Sequence, residues 1–403
     1  MDPYTLFVNI LSPVIGYLVG SILPAYILVR VIKKIDIREQ GTGIAGTMNA
    51  FRTLGKAYAI PTAIFDTLKG VGVIFLAEYI LKAEYFFAHL SGLAAIAGHV
   101  FPFYIRFKGG RGLACATGIL IRYMIEYLIV GFEMLFFFFY MVLIIMIFVY
   151  VSRTGKILGA IVLPLIGYTV FVYYPNVEYN LFFWIILAYI FSFCIYHIIK
   201  DKKLRIEDET FKSHWWRVII RPVALLFLVF YIYYSKEMAL IVIGIVGLCF
   251  IALDLIRFLH RQANVLFTEK IKKIFRKDEK KKFSTMTIFL IGFFVTILLF
   301  EMTIAIIAII YLTFCDMFGK VFGLAFGKHK LFHKTVEGTL SFFGCVLICG
   351  YIMFASFNYP LILLLWGGIT ATITEFLPLG VDDNFTVPIL SGAVMTVITI
   401  FIS

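Results

Sequence analysis

The sequence predicts an all-α polytopic membrane protein with about fourteen transmembrane or re-entrant helices in two modules. Mean hydropathy is +0.98, and only 15% of the 403 residues are charged, whereas soluble domains carry about 25%. Apolar runs of roughly 20 residues recur along the chain, and each can cross the ~30 Å hydrocarbon core of a bilayer. The runs are continuous rather than alternating, which favours helices over strands.

Each expected span corresponds to one of these runs. In the first half of the chain the spans cover residues 4–29, 57–81, 85–105, 112–124, 127–151, 157–174 and 180–199. In the second half they cover residues 216–234, 238–256, 285–300, 302–315, 336–356, 359–376 and 386–402. Residues 112–124 are too few to span fully and are a candidate re-entrant segment, and the long run 285–315 is divided at Glu301.

Polar stretches between the runs predict how the chain is divided and oriented. A boundary is expected in segment 205–217, which gives modules of residues 1–209 and 210–403. Residues 267–284 have the pattern of an amphipathic cytosolic helix, with a solvated linker that lies along the membrane as the alternative. The expected spans place 32 of the 36 lysines and arginines on one face, and these residues favour the cytoplasmic side. The net charge of +12 therefore reflects the topology of the loops, with anionic lipids or phosphate ligands as the second interpretation. We expect a multi-pass protein of the cell membrane. Its site loops are expected in the cytoplasm, and its partners are membrane lipids and phosphate ligands, with no nucleic acid.

The first polar motif of the first module is a glycine-rich loop. The residues singled out in it are Arg38, Gly41, Gly43, Gly46, Asn49 and Arg52. Glycines at this density let backbone N–H groups turn toward an anion, and the arginines supply the matching charge. A tight connector between two helices is the alternative interpretation.

The second motif is a pair of charges, Asp66 and Lys69, inside an apolar run. Their spacing of three residues places both side chains on one face of a helix. Charges within a membrane span usually mark a pathway or a site. We therefore count both residues among the expected substrate-binding residues, with a structural ion pair as the alternative.

The third motif combines His99 with a second glycine-rich loop, Lys108-Gly109-Gly110-Arg111-Gly112. Two cations that bracket glycines immediately before a helix suit a phosphate group, because backbone N–H groups and the helix N-terminus both attract anions. A basic loop at the membrane edge is the alternative. His99 is a candidate catalytic base, although a histidine at a helix end before Phe-Pro can equally be structural.

Taken in this order, the three motifs resemble the PlsY-type acyl-phosphate:glycerol-3-phosphate acyltransferase family, over about residues 10–209. The matching elements are Gly20-Ser21 with Pro24, the loop from Asp36 to Arg52, Asp66 with Lys69-Gly70, Gly98-His99 with Pro102, and Phe107 to Gly112. The resemblance implies that an acyl group passes from acyl-phosphate to glycerol 3-phosphate, which gives lysophosphatidate for phospholipid biosynthesis. It implies no cofactor for this half.

The chain departs from the family pattern at several positions. Thr42, Ile44 and Met48 replace Ser, Asn and Thr in the first loop, and Cys115 replaces Thr after the second. Several of the lost groups are hydrogen-bond donors. A catalytically degenerate acyltransferase half, attached to an active second module, is therefore an alternative.

The second module has a polar constellation of its own, Asp316, Lys334, Glu337, Gly338 and Asp383. Carboxylates can hold Mg²⁺, a lysine can neutralise phosphate, and glycines allow close approach of the backbone. We therefore expect Asp316 and Asp383 to be catalytic residues or magnesium ligands. The remaining three are expected to bind phosphate.

These residues resemble motifs of the CTP-dependent lipid kinases, such as dolichol, phytol and diacylglycerol kinases of the CTP type, over about residues 240–403. The resemblance implies CTP and a lipid alcohol as substrates, with Mg²⁺ as cofactor. Helix packing is an alternative for Gly319, Gly323 and Gly327. A membrane transporter is the rival from another class, because Asp66 and Lys69 would suit a carrier, although no internal repeat is visible.

Overall fold

The computed structural model describes residues 2–131, 133–152, 155–175, 177–178, 180–201, 225–260 and 282–402. Helices dominate this part of the chain, and nine of those it contains are long and apolar enough to cross a membrane. The expected all-α membrane fold is confirmed. The chain forms two compact units, Met1–Phe137 with Leu163–His197, and Phe138–Val162 with Ile198–Ser403.

Nine described α-helices lie between the N-terminus and residue 200. They are α1 (Pro3–Ser21), α2 (Pro24–Lys33), α3 (Thr47–Leu54), α4 (Lys56–Phe75), α5 (Tyr85–Val100), α6 (Leu113–Val130), α7 (Glu133–Ser152), α8 (Gly155–Tyr173) and α9 (Asn180–Lys200). A π-helical turn, Leu76–Ile80, extends α4, and short 3₁₀ turns occur at Ile37–Glu39 and Phe103–Ile105.

Eight described α-helices follow, with one small hairpin. They are α10 (Leu226–Tyr233), α11 (Lys236–Leu259), α12 (Thr285–Leu299), α13 (Met302–Ile310), α14 (Asp316–Phe326), α15 (Val336–Phe357), α16 (Leu361–Phe376) and α17 (Asp383–Ile402). The hairpin pairs β1 (Lys330–Leu331) with β2 (Lys334–Thr335) in antiparallel fashion. A π-helical turn, Tyr311–Cys315, joins α13 to α14.

Small residues bring α1 and α5 into close contact. A Cβ atom added at Gly16 or Gly20 would collide with the backbone of Ser91 or Ala95. The four-residue spacing of the two glycines is the small-xxx-small pattern that lets membrane helices approach closely. This packing holds α5 in place and thereby positions His99, which is buried near the end of the helix.

The first expected span, residues 4–29, is divided into helices α1 and α2 because Pro24 interrupts it. Proline lacks a backbone N–H, so it can begin a helix but interrupts one that precedes it. The polar groups freed at this break find other partners: the Tyr104 hydroxyl donates to the Ser21 carbonyl (2.9 Å) and accepts from the Leu23 N–H (3.3 Å). The break therefore supplies backbone groups at the place where polar side chains gather.

The prediction of a short re-entrant segment at residues 112–124 is wrong. Helix α6 runs from Leu113 to Val130, which is 18 residues and long enough to span. The Gly131 N–H still bonds to the Tyr127 carbonyl, so the polar residues after Met124 continue the helix. The division of the run 285–315 at Glu301 is confirmed by the end of α12 and the start of α13. The expected polar boundary at 205–217 lies outside the described residues, as does nearly all of the amphipathic segment 267–284.

Candidate functional sites

The first glycine loop is organised by the side chain of Asn49, at the start of α3. Its amide nitrogen donates to the carbonyls of Ile37 (2.8 Å), Gln40 (2.9 Å) and Ile44 (3.1 Å), and its oxygen accepts from the Thr42 N–H (3.3 Å). The Asn49 side chain is buried. It therefore shapes the loop from inside.

Two of the loop glycines are required by their backbone conformation. Gly41 and Gly43 have φ angles of 57° and 69°, a left-handed region that costs other residues free energy. A Cβ atom at Gly41 would also collide with the side-chain oxygen Oδ1 of Asn49. Gly46 has an extended conformation with open space around it, so the structure gives no steric reason for glycine there.

Arg38 is committed to protein partners in this structure. Its guanidinium forms an ion pair with Asp36 at 2.6 Å, and another of its nitrogens donates to the Ile105 carbonyl at 2.8 Å. Hydrogen bonds from Arg38 lower the pKa of the Asp36 carboxyl. Arg38 thus ties the first glycine loop to the segment that precedes the second.

A buried charge cluster lies beneath the two loops. The Lys69 ammonium donates to Asp66 Oδ1 (2.9 Å), to the Ile22 carbonyl (3.0 Å) and to His99 Nδ1 (2.8 Å). All three side chains are at most 3% exposed. The three hydrogens of the ammonium are therefore fully used, one of them on the carbonyl at the break between α1 and α2.

These contacts fix the tautomer of His99. A lysine ammonium has only donors, so a 2.8 Å contact makes His99 Nδ1 an acceptor and leaves the ring hydrogen on Nε2. Asp66 Oδ1 lies farther from the same nitrogen, at 3.5 Å. The free edge of the imidazole then presents an N–H donor.

The second glycine loop closes over that donor. The Gly110 N–H bonds to the His99 carbonyl (3.0 Å), and the Gly109 N–H bonds to the Val100 carbonyl (3.0 Å). A Cβ atom at Gly110 would collide with His99 Nε2 and with the Ala45 carbonyl of the first loop. Gly110 is therefore the point at which both loops and the buried cluster meet.

The end of the second loop is anchored to α9. Arg111 donates to His197 Nε2 at 2.9 Å, and the Tyr189 hydroxyl donates to the Arg111 carbonyl at 2.5 Å. Gly112 adopts a φ of 66° at the start of α6. Sequence reasoning missed Tyr189, since a tyrosine in an apolar run gives no signal of a contact with a loop 78 residues away.

Two cations of the glycine loops form no ion pair with the described residues. Lys108 and Arg52 are exposed, and neither forms an ion pair or side-chain hydrogen bond with the described residues. The aliphatic carbons of Arg52 lie about 3.9 Å from the place a Gly41 side chain would occupy. Among the cations that the sequence motifs single out, these two are available for an anionic ligand.

An apolar groove runs along α4 to Lys69. It has a volume of about 440 Å³ and is lined by Pro61, Ile64, Phe65, Leu68 and Lys69. The size lies within the range of small-molecule sites, which are mostly apolar with a few polar groups that set orientation. The groove therefore connects an apolar surface with the buried charge cluster.

The second unit contains a cluster of three carboxylates and one lysine. Oxygens of Asp316, Glu375 and Asp383 all lie within 4.8 Å of one another. The Lys334 ammonium bonds to Glu375 at 2.6 Å and to Asp383 at 2.9 Å. Burial alone would lower the pKa of Lys334, but the two carboxylates raise it. The starts of α14 and α17, the end of α16 and strand β2 thus converge on one point.

Glu375 has a side-chain oxygen without a hydrogen-bond partner among the described residues. Glu375 Oε2 is buried and accepts no hydrogen bond, whereas Oε1 of the same carboxylate accepts from Lys334. Burying an unsatisfied carboxylate oxygen is costly. The three carboxylates supply the oxygen ligands that magnesium prefers, so the residues present fit a divalent cation.

Glu337 and Gly338 serve the hairpin and the helix packing. Glu337 accepts from the N–H groups of Lys328 (3.0 Å) and His329 (3.2 Å), and from the His329 ring (2.7 Å). Gly338 packs against Gly319 and Gly323 at distances a side chain would crowd. The interpretation of these glycines as packing residues therefore accounts for part of the motif.

Comparison with known proteins assigns the first half of the chain to a family. The chain matches the glycerol-3-phosphate acyltransferase family model over residues 10–204. A glycerol-3-phosphate acyltransferase from Streptococcus sanguinis is 32% identical over 205 residues, which cover 50% of this chain and 89% of that protein. The corresponding protein from Endomicrobium trichonymphae is 35% identical over 168 residues, covering 40% of this chain and 78% of the relative.

A further relative matches over a shorter segment, and one solved structure matches over about half of the chain. The glycerol-3-phosphate acyltransferase of Thermoanaerobacter pseudethanolicus is 38% identical over 112 residues, so the chain spans little more than half of that relative, 56%. The crystal structure of PlsY in its glycerol 3-phosphate form is 25% identical, with a TM-score of 0.37, over 48% of this chain and 89% of that one. Through its residues 10–204, the chain belongs to the glycerol-3-phosphate acyltransferase family of integral membrane proteins.

Proposed function

We propose that the first unit transfers an acyl group from acyl-phosphate to the 1-hydroxyl of glycerol 3-phosphate. The observation that carries this proposal is the buried Asp66–Lys69–His99 cluster, which holds an N–H donor under Gly110 between two glycine loops. Family membership supplies the substrate class. The geometry supplies donors and cations where two phosphate groups have to be held.

The bonds of this reaction balance without a cofactor. The hydroxyl oxygen attacks the acyl carbon, a new ester C–O bond forms, and the C–O bond to phosphate breaks. The phosphate leaves with the electron pair and takes up the hydroxyl proton, so the products are lysophosphatidate and hydrogen phosphate. Because the leaving group itself accepts the proton, the reaction does not need His99 as a base.

His99 has a different role in this proposal. Its Nε2–H is aimed out of the buried cluster, where a donor would stabilise the negative charge that develops on a reacting oxygen. Lys69 and Asp66 hold the ring and its tautomer, which makes them positioning residues. The expectation of His99 as the base is thereby revised to a hydrogen-bond donor.

The cations divide between the two phosphates and the loops. Lys108 and Arg52 would bind phosphate directly, while Arg38 and Arg111 hold the loops through their existing contacts. Positioning two reactants in this way can account for a large share of a rate enhancement. The groove along α4 suits the acyl chain, since it is apolar and ends at Lys69.

A donor comparison tests the proposal. Purified protein in lipid nanodiscs is supplied with glycerol 3-phosphate and either acyl-phosphate or acyl-CoA of matched chain length, and lysophosphatidate is measured. We expect product from acyl-phosphate only. Equal rates with both donors would overturn the donor assignment, and folded protein that is inactive with either would favour the degenerate alternative.

We also propose a second function, transfer of a phosphoryl group from CTP to a lipid alcohol by the second unit. The convergence of Asp316, Glu375, Asp383 and Lys334 favours it. The three carboxylates would hold Mg²⁺, which neutralises charge on the transferred phosphate when bound. The lipid hydroxyl would lose its proton to water, and its oxygen would bond to the γ-phosphorus. The bond from that phosphorus to CDP would break and CDP would leave, with Lys334 available to the phosphates.

The kinase proposal is tested separately from acyl transfer. The full chain in nanodiscs receives radiolabelled CTP and Mg²⁺, together with dolichol, a shorter isoprenoid alcohol or diacylglycerol. Formation of a labelled lipid phosphate is the expected result. Absence of label with every lipid and nucleotide, in protein that retains acyl transfer, would overturn the assignment of this unit.

A further inference from the structure

Lys334 occupies the position between two carboxylates that a cation would need. Its ammonium lies 2.6 Å from Glu375 and 2.9 Å from Asp383. One oxygen from each of these two carboxylates and one from Asp316 lie within 4.8 Å of one another. A divalent cation bound by all three carboxylates would have to share this space with the ammonium.

The charges of the cluster argue against simultaneous occupancy. Three carboxylates face two ammonium groups, since Lys320 also pairs with Asp316 at 2.7 Å. The formal charges of these five side chains sum to one negative unit, and a divalent cation would reverse the sign of that sum. Like charges held a few ångströms apart in a partly buried site repel strongly.

We propose that Lys334 alternates between two partners, the Glu375–Asp383 pair and the phosphates of a nucleotide. Without nucleotide the ammonium fills the site, satisfies both carboxylates and weakens divalent-cation binding. When nucleotide and cation arrive together, the ammonium moves to the phosphates and the carboxylates take the cation. The proposal rests on the proposed kinase function in naming the nucleotide as second partner, and it makes cation binding dependent on nucleotide.

The exposure and flexibility of the Lys334 side chain allow its ammonium to move. It lies in the two-residue strand β2, directly before α15, and its side chain is 18% exposed, against 4% for Glu375. A lysine side chain has several rotatable bonds and can redirect its ammonium without movement of the backbone. Thr335, which caps α15 through the Gly338 N–H, keeps the strand in place.

Manganese binding without nucleotide tests the proposal. Mn²⁺ serves as the paramagnetic probe, and free Mn²⁺ is measured by electron paramagnetic resonance with the full chain in nanodiscs. We expect Lys334→Met to bind Mn²⁺ at least about tenfold more tightly than wild type. Lys330→Met is the matched control, because it removes an exposed lysine of the same hairpin, and it should bind as wild type does.

Further variants keep the test decisive if Lys334→Met does not fold. Lys334→Gln should also tighten Mn²⁺ binding, and Lys334→Arg, which keeps the charge, should not. Unchanged or weaker binding in both folded neutral variants would overturn the proposal, as would the absence of Mn²⁺ binding in every variant. Tighter binding in protein that phosphorylates no lipid would support competition between Lys334 and the cation, and would count against the nucleotide as the second partner.

Discussion

Lys69 donates a hydrogen bond to His99 Nδ1 across 2.8 Å, from one helix to the next, so the ring of His99 presents its Nε2–H to the loop at Gly110. This contact joins the second and third polar motifs of the sequence. It also explains why a lysine can be buried in a membrane span. All three ammonium hydrogens have acceptors, and one of them is a carbonyl at the break before Pro24.

Gly110→Ala should abolish acyl transfer. The added methyl group would collide with His99 Nε2 and the Ala45 carbonyl, so either the loop or the imidazole must move. Misplacement of about 1 Å can cost about a hundredfold in rate. Initial rates of lysophosphatidate formation are the measurement. Gly72→Ala is the control, because its Cβ would have open space, and alanine is the better helix former.

His99→Gln should retain more activity than His99→Leu. A glutamine amide can offer an N–H donor near the position of Nε2, whereas leucine offers none. Loss of one such donor typically lowers kcat by about 10²- to 10³-fold. We expect that loss for the leucine variant and a smaller one for glutamine. If both variants lose the same large factor, His99 acts as a base after all.

Lys108→Ala should raise KM for glycerol 3-phosphate about ten- to a hundredfold with a smaller change in kcat. The lost interaction is a charge-assisted phosphate contact, worth roughly 1.5–3 kcal/mol. Steady-state kinetics at saturating acyl-phosphate provide the measurement. Lys56→Ala, which removes another exposed lysine, should leave KM unchanged. An unchanged KM in the Lys108 variant would mean that this loop is only a basic membrane edge.

Asp316→Asn should lower phosphorylation of a lipid alcohol by several orders of magnitude and leave acyl transfer intact. The amide cannot supply the charge that a magnesium ligand needs. Arg52→Ala should have the reverse effect, with acyl transfer impaired and the kinase unaffected. Both activities are measured on the same preparation of each variant. Loss of kinase activity in the Arg52 variant, with Asp316→Asn tolerated, would contradict the division of functions.

The helices could be predicted because their signal is local. Each apolar run carries its own length, so even the division at Glu301 follows from the sequence. The end of α6 was missed, because Glu126 within the helix and the nearby tyrosines dilute its hydropathy. Glu126 is satisfied by an ion pair with Arg122, one helical turn earlier, at 2.8 Å. Polar residues that pair along a helix therefore hide part of a span.

The site could be predicted as a set of residues but not as a set of contacts. Lys69 and His99 lie 30 residues apart, and only the packing of α5 brings them together. Arg38 has the pattern of a phosphate ligand, but Asp36, two residues away, already pairs with it. Glu375 joins Asp316 and Asp383 only through the ends of three helices. Distances between elements decide such roles, and they are not encoded in spacing along the chain.

We expect the first unit to transfer the acyl group from acyl-phosphate without a metal ion. The most direct measurement is the yield of lysophosphatidate and inorganic phosphate from purified wild-type protein in nanodiscs, with glycerol 3-phosphate, acyl-phosphate and excess EDTA. We predict one phosphate released for each lysophosphatidate formed, at a rate that EDTA does not change. Folded protein that releases phosphate without lysophosphatidate, or forms no product from acyl-phosphates of several chain lengths, would contradict the account.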